Sequence, residues 1–410
     1  MKPRRGLLVT IAVLCIAAGA VRAQGMDWVK ATDSAPWPGR TDFASVSFDG
    51  KMWLLGGYAS GRRNDVWYSS DGASWAEATD SAGWSRRAGL AAVVYDNKIW
   101  VVGGTEGLGV EHDVWWSSDG VSWTCATTTP SWSNRCYHSV LVFDGKMWLL
   151  GGGDTTSVRS DVWSSTNGVD WTKETDSADW HGRVWAAAVV HGGRMFVMGG
   201  TDGQRHYFGD VWSSTDGKTW SLVTDSAGWG PRAAFAAVVH DSMIWVMGGT
   251  NLPQVRHNDV WCSTDGRDWT RVADSTPWAK RYGLEGLVLN GKIWILGGIA
   301  DTSYPNDVWY SAGLGVSEEP NLGAGPTRVI RIRPNPFRRN AAVIWNSPAT
   351  GGDVARVYAQ DGRLVRQARL PAGQSRWVWD GRDDSGAPLP PGVYVLESGP
   401  GVRAKVVMTR

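Results

Sequence analysis

Residues 51–57 read Lys-Met-Trp-Leu-Leu-Gly-Gly, and Asp65-Val66-Trp67 follows after a variable loop. The same order of apolar strand, diglycine, loop and Asp-Val-Trp occurs six times along the chain. The first glycines of the six pairs are Gly56, Gly103, Gly151, Gly199, Gly248 and Gly297. Intervals of 47 to 49 residues between these glycines are typical of repeats that each form one four-stranded sheet. The sequence therefore predicts an all-β fold of six consecutive sheets.

Each repeat divides into four short strands, a to d, which in the first repeat are predicted at 43–48, 51–55, 65–69 and 75–79. Asp-Gly and Asn-Gly pairs recur between strands a and b and between strands c and d, and they tolerate the positive φ angles of tight hairpin turns. Strand a is rich in small and branched residues, which suits an innermost strand where sheets converge on a central channel. This pattern predicts a six-bladed β-propeller over residues 26–312.

The two ends of the repeat array complement each other. Five repeats contain a strand-d tryptophan followed nine residues later by a loop tryptophan, whereas the sixth repeat stops before this pair. Trp28 and Trp37, again nine residues apart, precede the first repeat. We therefore expect the N-terminal strand to complete the sixth blade and close the ring, which removes the exposed sheet edges of an open array.

The repeats resemble the kelch family. The shared pattern is an arginine before strand a, four apolar residues, Gly-Gly, an aromatic residue after a loop, and a strand-d tryptophan, and it covers about residues 26–313. The resemblance implies a kelch-type propeller. Exported bacterial propellers of this type include sialic-acid mutarotases, so the resemblance implies either a recognition module or an enzyme of small-sugar chemistry.

The C-terminal part predicts a second domain. Residues 313–326 are rich in Gly and Pro and read as a linker, and residues 327–410 contain short alternating segments that predict a small immunoglobulin-like β-sandwich. Pro334-Asn335-Pro336-Phe337, Trp379-Asp380-Gly381 and Pro391-Gly392-Val393-Tyr394 resemble type IX secretion sorting domains and the immunoglobulin-like domain of flagellar hook-capping proteins. The resemblance implies a bacterial protein that engages secretion machinery, and the alternative is an accessory sandwich.

The N-terminus predicts export. Residues 1–23 combine three early basic residues with the apolar run 7–18 and a small-residue cleavage site before Gln24, which is the pattern of a signal peptide. No later apolar run is long enough to span a bilayer, so the mature chain is expected to lack a transmembrane segment. The expected location is secreted or on the outer cell surface.

Charge and cysteine content exclude some classes of function. Residues 26–326 carry a net charge of −11, which argues against nucleic acid as a partner of the propeller. The histidines do not fall at zinc-ligand spacing and no phosphate-binding glycine loop precedes a helix, so no metal and no cofactor are expected. Cys125 and Cys136 flank one inter-blade loop and either form a disulfide or remain free, as Cys262 does.

The d–a and b–c loops are expected to emerge on one face of the propeller, called here the loop face. Aromatic and guanidinium groups on a concave face suit acidic or sugar ligands through stacking and bidentate hydrogen bonds. The predicted ligand-binding residues are Trp37, Trp84, Trp180, Trp229, Arg40, Arg87, Arg135, Arg183, Arg232, Arg281, Arg205, Tyr207 and His257. Because the tryptophans and arginines of the d–a loops recur in every repeat, the alternative is that they support the blades.

Two classes of function follow. The first is a recognition module that binds a protein or a glycan through the loop face. The second is a small-sugar enzyme, which needs an acid facing the channel. Glu285 is the one weak catalytic candidate, because it lies in strand a of the sixth repeat where other repeats have Ala or Ser.

Overall fold

The computed structural model describes residues 26–107, 109–251, 255–314, 330–333, 341–345, 354–359, 364–390, 392–398 and 403–408. The chain divides into two compact units, Met1–Ser317 and Glu318–Arg410. The predicted signal peptide at 1–23 lies outside the described residues, as does most of the predicted linker. The described residues form strands and turns without a helix. They accordingly contain no helix of the length and hydrophobicity needed to cross a membrane.

The first unit contains six four-stranded sheets, and strands a to d lie in order across each sheet. The first sheet comprises β2 (Ala44–Phe48), β3 (Lys51–Tyr58), β4 (Arg62–Ser69) and β5 (Ala76–Thr79). The second comprises β6 (Ala91–Tyr95), β7 (Lys98–Glu106), β8 (Gly109–Ser117) and β9 (Thr124–Thr127). The third comprises β10 (Ser139–Phe143), β11 (Lys146–Leu150), β12 (Val162–Ser165) and β13 (Thr172–Thr175).

The remaining sheets of this unit repeat the arrangement. The fourth comprises β14 (Ala187–His191), β15 (Arg194–Met198), β16 (Val211–Ser214) and β17 (Ser221–Thr224). The fifth comprises β18 (Ala236–His240), β19 (Met243–Met247), β22 (Val260–Ser263) and β23 (Thr270–Ala273), with a small hairpin of β20 (Thr250–Asn251) and β21 (Val255–Arg256) in its b–c loop. The sixth comprises β24 (Glu285–Leu289), β25 (Lys292–Leu296), β26 (Val308–Leu314) and β1 (Met26–Thr32).

Burial follows the position of each strand in its sheet. Strand b is buried along almost its whole length, as in β11 and β15, because it packs against the neighbouring sheets on both faces. Strand d, as in β13, is half exposed at the outer edge. The cores lie between adjacent sheets: Leu55 and Val66 of the first sheet pack with Ile99 and Val101 of the second. The continuous apolar run of strand b is thus explained by its two buried faces.

The N-terminal strand lies where the sequence predicts it. β1 pairs antiparallel with β26 as the outer strand of the sixth sheet, and Trp28 faces Ser311 in the register. β26 extends to Leu314, so the last strand runs two residues beyond the predicted boundary at 312, and the linker begins later than predicted. Backbone and side-chain hydrogen bonds also join the first and sixth sheets, including Ser47 Oγ to Val288 O at 2.7 Å. These contacts lie between the first and the last sheet of the array.

The second unit is a two-layer β structure. One sheet contains β27 (Ile330–Arg333), β28 (Ala341–Trp345) and β31 (Arg376–Trp379). The other contains β29 (Val354–Ala359), β30 (Leu364–Arg369), β32 (Gly392–Ser398) and β33 (Arg403–Met408). Val343 and Trp379 of the first sheet and Val357 and Leu396 of the second share one buried core. This arrangement confirms the predicted small β-domain, and β27 is a strand that the sequence analysis did not identify.

Candidate functional site

The repeated arginines of the d–a loops lie inside the blades. Arg40 donates through Nη1 and Nη2 to the two carboxylate oxygens of Asp65, at 2.6 and 2.7 Å, and Nη1 also donates to Gly56 O at 2.9 Å. Trp67 Nε1 donates to the same carboxylate. The arginine side chain holds the pKa of Asp65 below its usual value even though burial raises it.

The other five repeats form the same ion pair between the d–a arginine and the Asp of Asp-Val-Trp. These pairs are Arg87–Asp113, Arg135–Asp161, Arg183–Asp210, Arg232–Asp259 and Arg281–Asp307. Each arginine is at most 2% exposed. A ligand at the surface cannot reach these guanidinium groups, so the prediction that Arg40, Arg87, Arg135, Arg183, Arg232 and Arg281 bind ligand is wrong. Removing one partner of such a buried pair typically costs about 3–5 kcal/mol, which explains their recurrence.

The repeated loop tryptophans are also structural. Trp37, Trp84, Trp180 and Trp229 are at most 3% exposed. Each packs edge-on against the strand-d tryptophan of the following blade, as Trp37 does against Trp75 with ring centroids 5.8 Å apart. Trp28 of β1 takes the strand-d place against Trp278, at 5.9 Å. The prediction that the four loop tryptophans contact ligand is therefore corrected: they join adjacent blades.

A different set of residues surrounds the mouth of the central channel. The residue two positions after each repeated arginine has a positive φ between 53° and 61°, and we call this set the mouth ring: Asp42, Gly89, Tyr137, Trp185, Ala234 and Gly283. The backbone N–H groups of five members each donate to the carbonyl oxygen of the preceding member, at 2.7 to 3.1 Å. The series runs from Gly89 N, which donates to Asp42 O, to Gly283 N, which donates to Ala234 O. Thr41 Oγ1 donates to Gly283 O at 3.3 Å.

Two members of the mouth ring, Tyr137 and Trp185, carry bulky side chains that are unusual in this backbone conformation. Left-handed φ values are uncommon outside glycine, and for a bulky residue such as Tyr137 or Trp185 they carry strain. The two rings pack against each other at a tilt, with centroids 4.2 Å apart and an interplanar angle of 37°. Gly89 makes this possible, because a Cβ atom there would lie 2.6 Å from Tyr137 Cε1. Strained residues that the surrounding structure holds in place cluster at functional sites.

Asp42 lies beside the aromatic pair. Trp185 Nε1 donates a long hydrogen bond of 3.4 Å to Asp42 Oδ1. Burial raises the pKa of Asp42 to about 6, and this hydrogen bond opposes the shift. The carboxyl group forms no ion pair within the described part of the chain. At neutral pH it is largely an unpaired carboxylate in a half-buried site.

Glu285 lies in the channel, on the inner strand β24, and lines the same cavity as Asp42. Among the described residues, the carboxyl group of Glu285 accepts one hydrogen bond, from Ser45 Oγ to Oε2 at 3.2 Å. Burial first, and the nearby Asp42 charge second, raise the pKa of Glu285 to about 8, so it holds its proton at neutral pH. The structure therefore places this predicted residue in a pocket with a second carboxyl group, which its sequence position alone did not reveal.

His138 lines the same cavity and is 7% exposed. Neither ring nitrogen forms a hydrogen bond of ordinary geometry with the described residues. Burial lowers its pKa to about 3, so the ring is neutral. No group of three or more His, Cys, Asp or Glu side chains in the described part of the chain is arranged to hold a metal ion.

The variable-loop residues lie elsewhere on the propeller. Arg205 is exposed and has a φ of 77°. Tyr207 is half-buried, and its backbone pairs with that of Thr201. His257 is half-buried, and burial together with the charge of Arg232 lowers its pKa to about 4. None of the three lines the channel cavity. The structure thus does not bring them together with Glu285.

The sequence analysis missed Asp42, Tyr137 and Trp185. A signal was present: at this position of the repeat the six residues are Asp, Gly, Tyr, Trp, Ala and Gly. Two glycines suggest a special backbone conformation, and the three large or charged exceptions break the repeat. Cys125, Cys136 and Cys262, the cysteines within the described residues, are free thiols, and Cys136 is buried next to Tyr137 in the chain.

Comparisons with known proteins agree with this architecture. The family described as KLHDC2/KLHL20/DRC7 Kelch-repeats domain matches residues 165–312, and the Kelch motif matches residues 86–116. The family FlgD Ig-like domain matches residues 340–397. No curated protein matches the sequence.

Among solved structures, "Structure of YjhT" is similar, with a TM-score of 0.57 and 14% sequence identity over 68% of this chain and 96% of that chain. At this identity the similarity shows the fold alone. The chain therefore contains kelch repeats that form a kelch-type propeller, followed by a C-terminal FlgD Ig-like domain.

Proposed function

We propose that this protein is an exported bacterial recognition module whose propeller binds a glycan or protein ligand at the channel mouth of the loop face. The C-terminal domain directs secretion or attachment to the cell surface in this proposal. The observation that carries the binding role is the mouth ring, in which three of six equivalent positions hold Asp42, Tyr137 and Trp185 instead of Gly or Ala. A purely structural ring has no need of bulky side chains such as Tyr137 and Trp185 in this strained backbone conformation.

The chemistry of the mouth favours a glycan over a protein. The Tyr137 and Trp185 rings pack against each other, are half-buried and line a small cavity at the channel mouth. Aromatic faces pack against the apolar face of a sugar ring, and carboxyl groups such as Asp42 accept hydrogen bonds from its hydroxyls. A narrow polar cavity with an aromatic wall suits the end of a glycan chain. Arg205, Tyr207 and His257 remain predicted contacts for more distant parts of the ligand.

A glycan array screened with the full chain tests this function. We expect selective binding that Trp185→Gly and Asp42→Asn each weaken by about tenfold or more, because each removes a direct contact worth at least about 1.4 kcal/mol. Trp185→Gly is expected to fold, since glycine occupies the equivalent position in the second and sixth repeats and is compatible with the positive φ.

Asp268→Asn provides the matched control. Asp268 is exposed in a c–d turn of the fifth repeat, on the opposite face from the mouth ring, so its substitution should leave binding unchanged. If the mouth variants bind like the unchanged protein while a partner maps to the hairpin face, the proposed site is wrong.

A second candidate function is interconversion of the anomers of a small sugar. Opening a sugar ring requires an acid to protonate the ring oxygen and a base to accept the proton of the anomeric hydroxyl as the ring C–O bond breaks. Glu285 has a pKa raised to about 8 and is protonated at pH 7, whereas Asp42, with a pKa of about 6, is largely ionised. Two carboxyl groups in different protonation states within one cavity favour this candidate.

A mutarotation assay separates the two functions. An enzyme should lose turnover in Glu285→Gln, because glutamine cannot transfer a proton, while a binding module should show no catalysed mutarotation in any variant. Acceleration by the unchanged protein that Glu285→Gln removes would favour the enzyme over the recognition module.

A further inference from the structure

The cavity at the channel mouth is acidic and lacks a cation of its own. Asp42 and Glu285 both line it, and each receives one hydrogen bond from a neutral donor, Trp185 Nε1 and Ser45 Oγ respectively. Neither carboxyl group forms an ion pair within the described ranges of the propeller. A half-buried carboxylate without a cation is unfavourable, so a cationic ligand group would be stabilised there.

The other groups around the cavity do not supply positive charge. Tyr137 and His138 are the remaining titratable residues of its lining, and both are neutral at pH 7 because burial raises the tyrosine pKa and lowers the histidine pKa. The inner strands of the other sheets contribute Gly, Ala, Leu, Phe and Trp side chains. Arg62 is a nearby cation, and its charge lowers the pKa values of Tyr137 and Cys136. It does not contribute to the pKa shifts of Asp42 and Glu285.

The aromatic pair adds a second feature that favours a cation. Tyr137 and Trp185 pack against each other beside Asp42. The face of an aromatic ring attracts an ammonium group within about 6 Å of its centroid. His138 is a third feature of this lining. It is 7% exposed, and its ring nitrogens have no hydrogen-bond partner of ordinary geometry among the described residues. A ligand with hydroxyl groups next to its ammonium group would match this lining.

We propose that the channel mouth binds the ammonium group of a small polar ligand, such as an amino sugar, between the carboxyl groups of Asp42 and Glu285 and the Tyr137–Trp185 pair. This inference rests on the proposed recognition function and names the chemistry of its ligand. The cavity has a volume of about 110 Å³ at the mouth and about 190 Å³ in the channel below. These volumes are below the range of drug-sized pockets, so a head group enters rather than a whole chain.

Matched pairs of probes test the charge directly. Isothermal titration calorimetry compares choline with its neutral isostere 3,3-dimethylbutan-1-ol, and glucosamine with N-acetylglucosamine. We expect each cation to bind about tenfold or more tightly than its neutral partner, the effect of one close charge contact. At pH 7 Asp42→Asn should remove most of this difference, because Asp42 is the ionised carboxyl group there. Glu285→Gln should reduce the difference above about pH 8, where Glu285 ionises, and Asp268→Asn should retain it at both pH values.

The pH dependence of choline binding gives an independent readout, because the charge of choline does not change with pH. A cation favours the ionised carboxyl groups, so the affinity should rise as the pH increases from about 6 to about 8, through the pKa values of Asp42 and Glu285. Proton release on binding should accordingly appear as a buffer-dependent enthalpy.

Several results would overturn the inference. Equal binding of charged and neutral probes, an affinity that falls with increasing pH, or unchanged choline binding in Asp42→Asn and Glu285→Gln would each do so. If neutral glycans bind in a Trp185-dependent manner and choline does not bind, the ammonium proposal fails while the recognition function stands. If no glycan, protein or amine binds at the mouth, both fail.

Discussion

The repeated residues and the exceptions to the repeat have different roles at the scale of single residues. Arg135 and Asp161 form the same buried pair as their counterparts in every other sheet, so their conservation within the chain reports blade architecture. Tyr137, two residues after Arg135, differs from its counterparts and lies at the channel mouth. A position that varies within an otherwise regular repeat is therefore the better guide to a site in this molecule.

Glu285 should make the stability of the propeller depend on pH. Its pKa is about 8 in the folded protein, above the usual value for glutamate, so the folded state binds the proton more tightly than the unfolded chain. The contribution of Glu285 to the free energy of unfolding should consequently be fully present below about pH 4.5. It should be lost as the pH rises through about 8. Glu285→Gln cannot ionise and should be more stable than the unchanged protein at pH 9 by on the order of 1–2 kcal/mol, after screening by water in the channel.

Urea unfolding of both proteins between pH 4 and pH 9 measures this effect. The stabilities should converge near pH 4, where Glu285 is protonated in both the folded and unfolded states. Asp268→Asn, which changes an exposed carboxyl group, should show no such pH-dependent gain. A constant difference between Glu285→Gln and the unchanged protein across this range would show that Glu285 acts through packing rather than through its charge.

At the scale of elements, β1 determines how the array of sheets ends. It supplies strand d of the sixth sheet, and its Trp28 packs against Trp278 as the corresponding tryptophans of the other sheets do. Asn306 Nδ2 also donates to Ala35 O at 2.8 Å, which fixes the chain that follows β1. Without β1, the edge of β26 would be exposed.

A chain that starts at Ala35 should therefore be less stable throughout the propeller. Trp28 is 8% exposed, and truncating a buried tryptophan typically costs about 3–5 kcal/mol before the lost strand pairing is counted. We expect a large decrease in the melting temperature by circular dichroism and partial recovery when a peptide of residues 26–34 is added. A cooperative melt at the full-length temperature would mean that the ring does not depend on its N-terminal strand.

Sequence reasoning predicted elements well because their signals repeat six times. Strand b and its diglycine, the hairpin turns and the place of β1 all follow from periodicity and from the tryptophan pairs. The site was harder to predict, since a recurring arginine has the same sequence signal whether it is buried or exposed. Each repeat contains one such arginine and one Asp of Asp-Val-Trp. This equal number was the available sequence signal for an ion pair. The positive φ of Trp185 was signalled only indirectly, by the glycines at the equivalent positions of the second and sixth repeats, because a bulky residue itself rarely adopts this conformation.

At the scale of the whole molecule, the chain has two units with separate cores. The buried residues of the second unit, among them Trp379 and Leu396, form a cluster of their own. Separate cores allow separate roles, and we expect the propeller to fold without the C-terminal domain. This separation makes the proposed role of the C-terminal domain testable without disturbing the channel mouth.

Removing residues 327–410 should leave the propeller folded but change its location in the native host. The melting temperature of the propeller and its binding to probes should be unchanged, because none of its described buried clusters includes a residue of the second unit. Surface protease accessibility and cell fractionation should show that the truncated protein is retained inside the cell envelope, since the proposed secretion signal is missing.

A full-length variant distinguishes a folded signal from mere chain length. Trp379→Ala removes a core side chain that is 1% exposed and should unfold the small domain, given a typical cost of about 3–5 kcal/mol. If the machinery recognises the folded domain, this variant should be retained like the truncated protein although it keeps every residue but one. Surface display of the truncated protein at the normal level would rule out a targeting role, and the domain would then be an accessory to the propeller. Display of Trp379→Ala but not of the truncated protein would instead indicate recognition of an unfolded sequence motif, and the targeting role itself would stand.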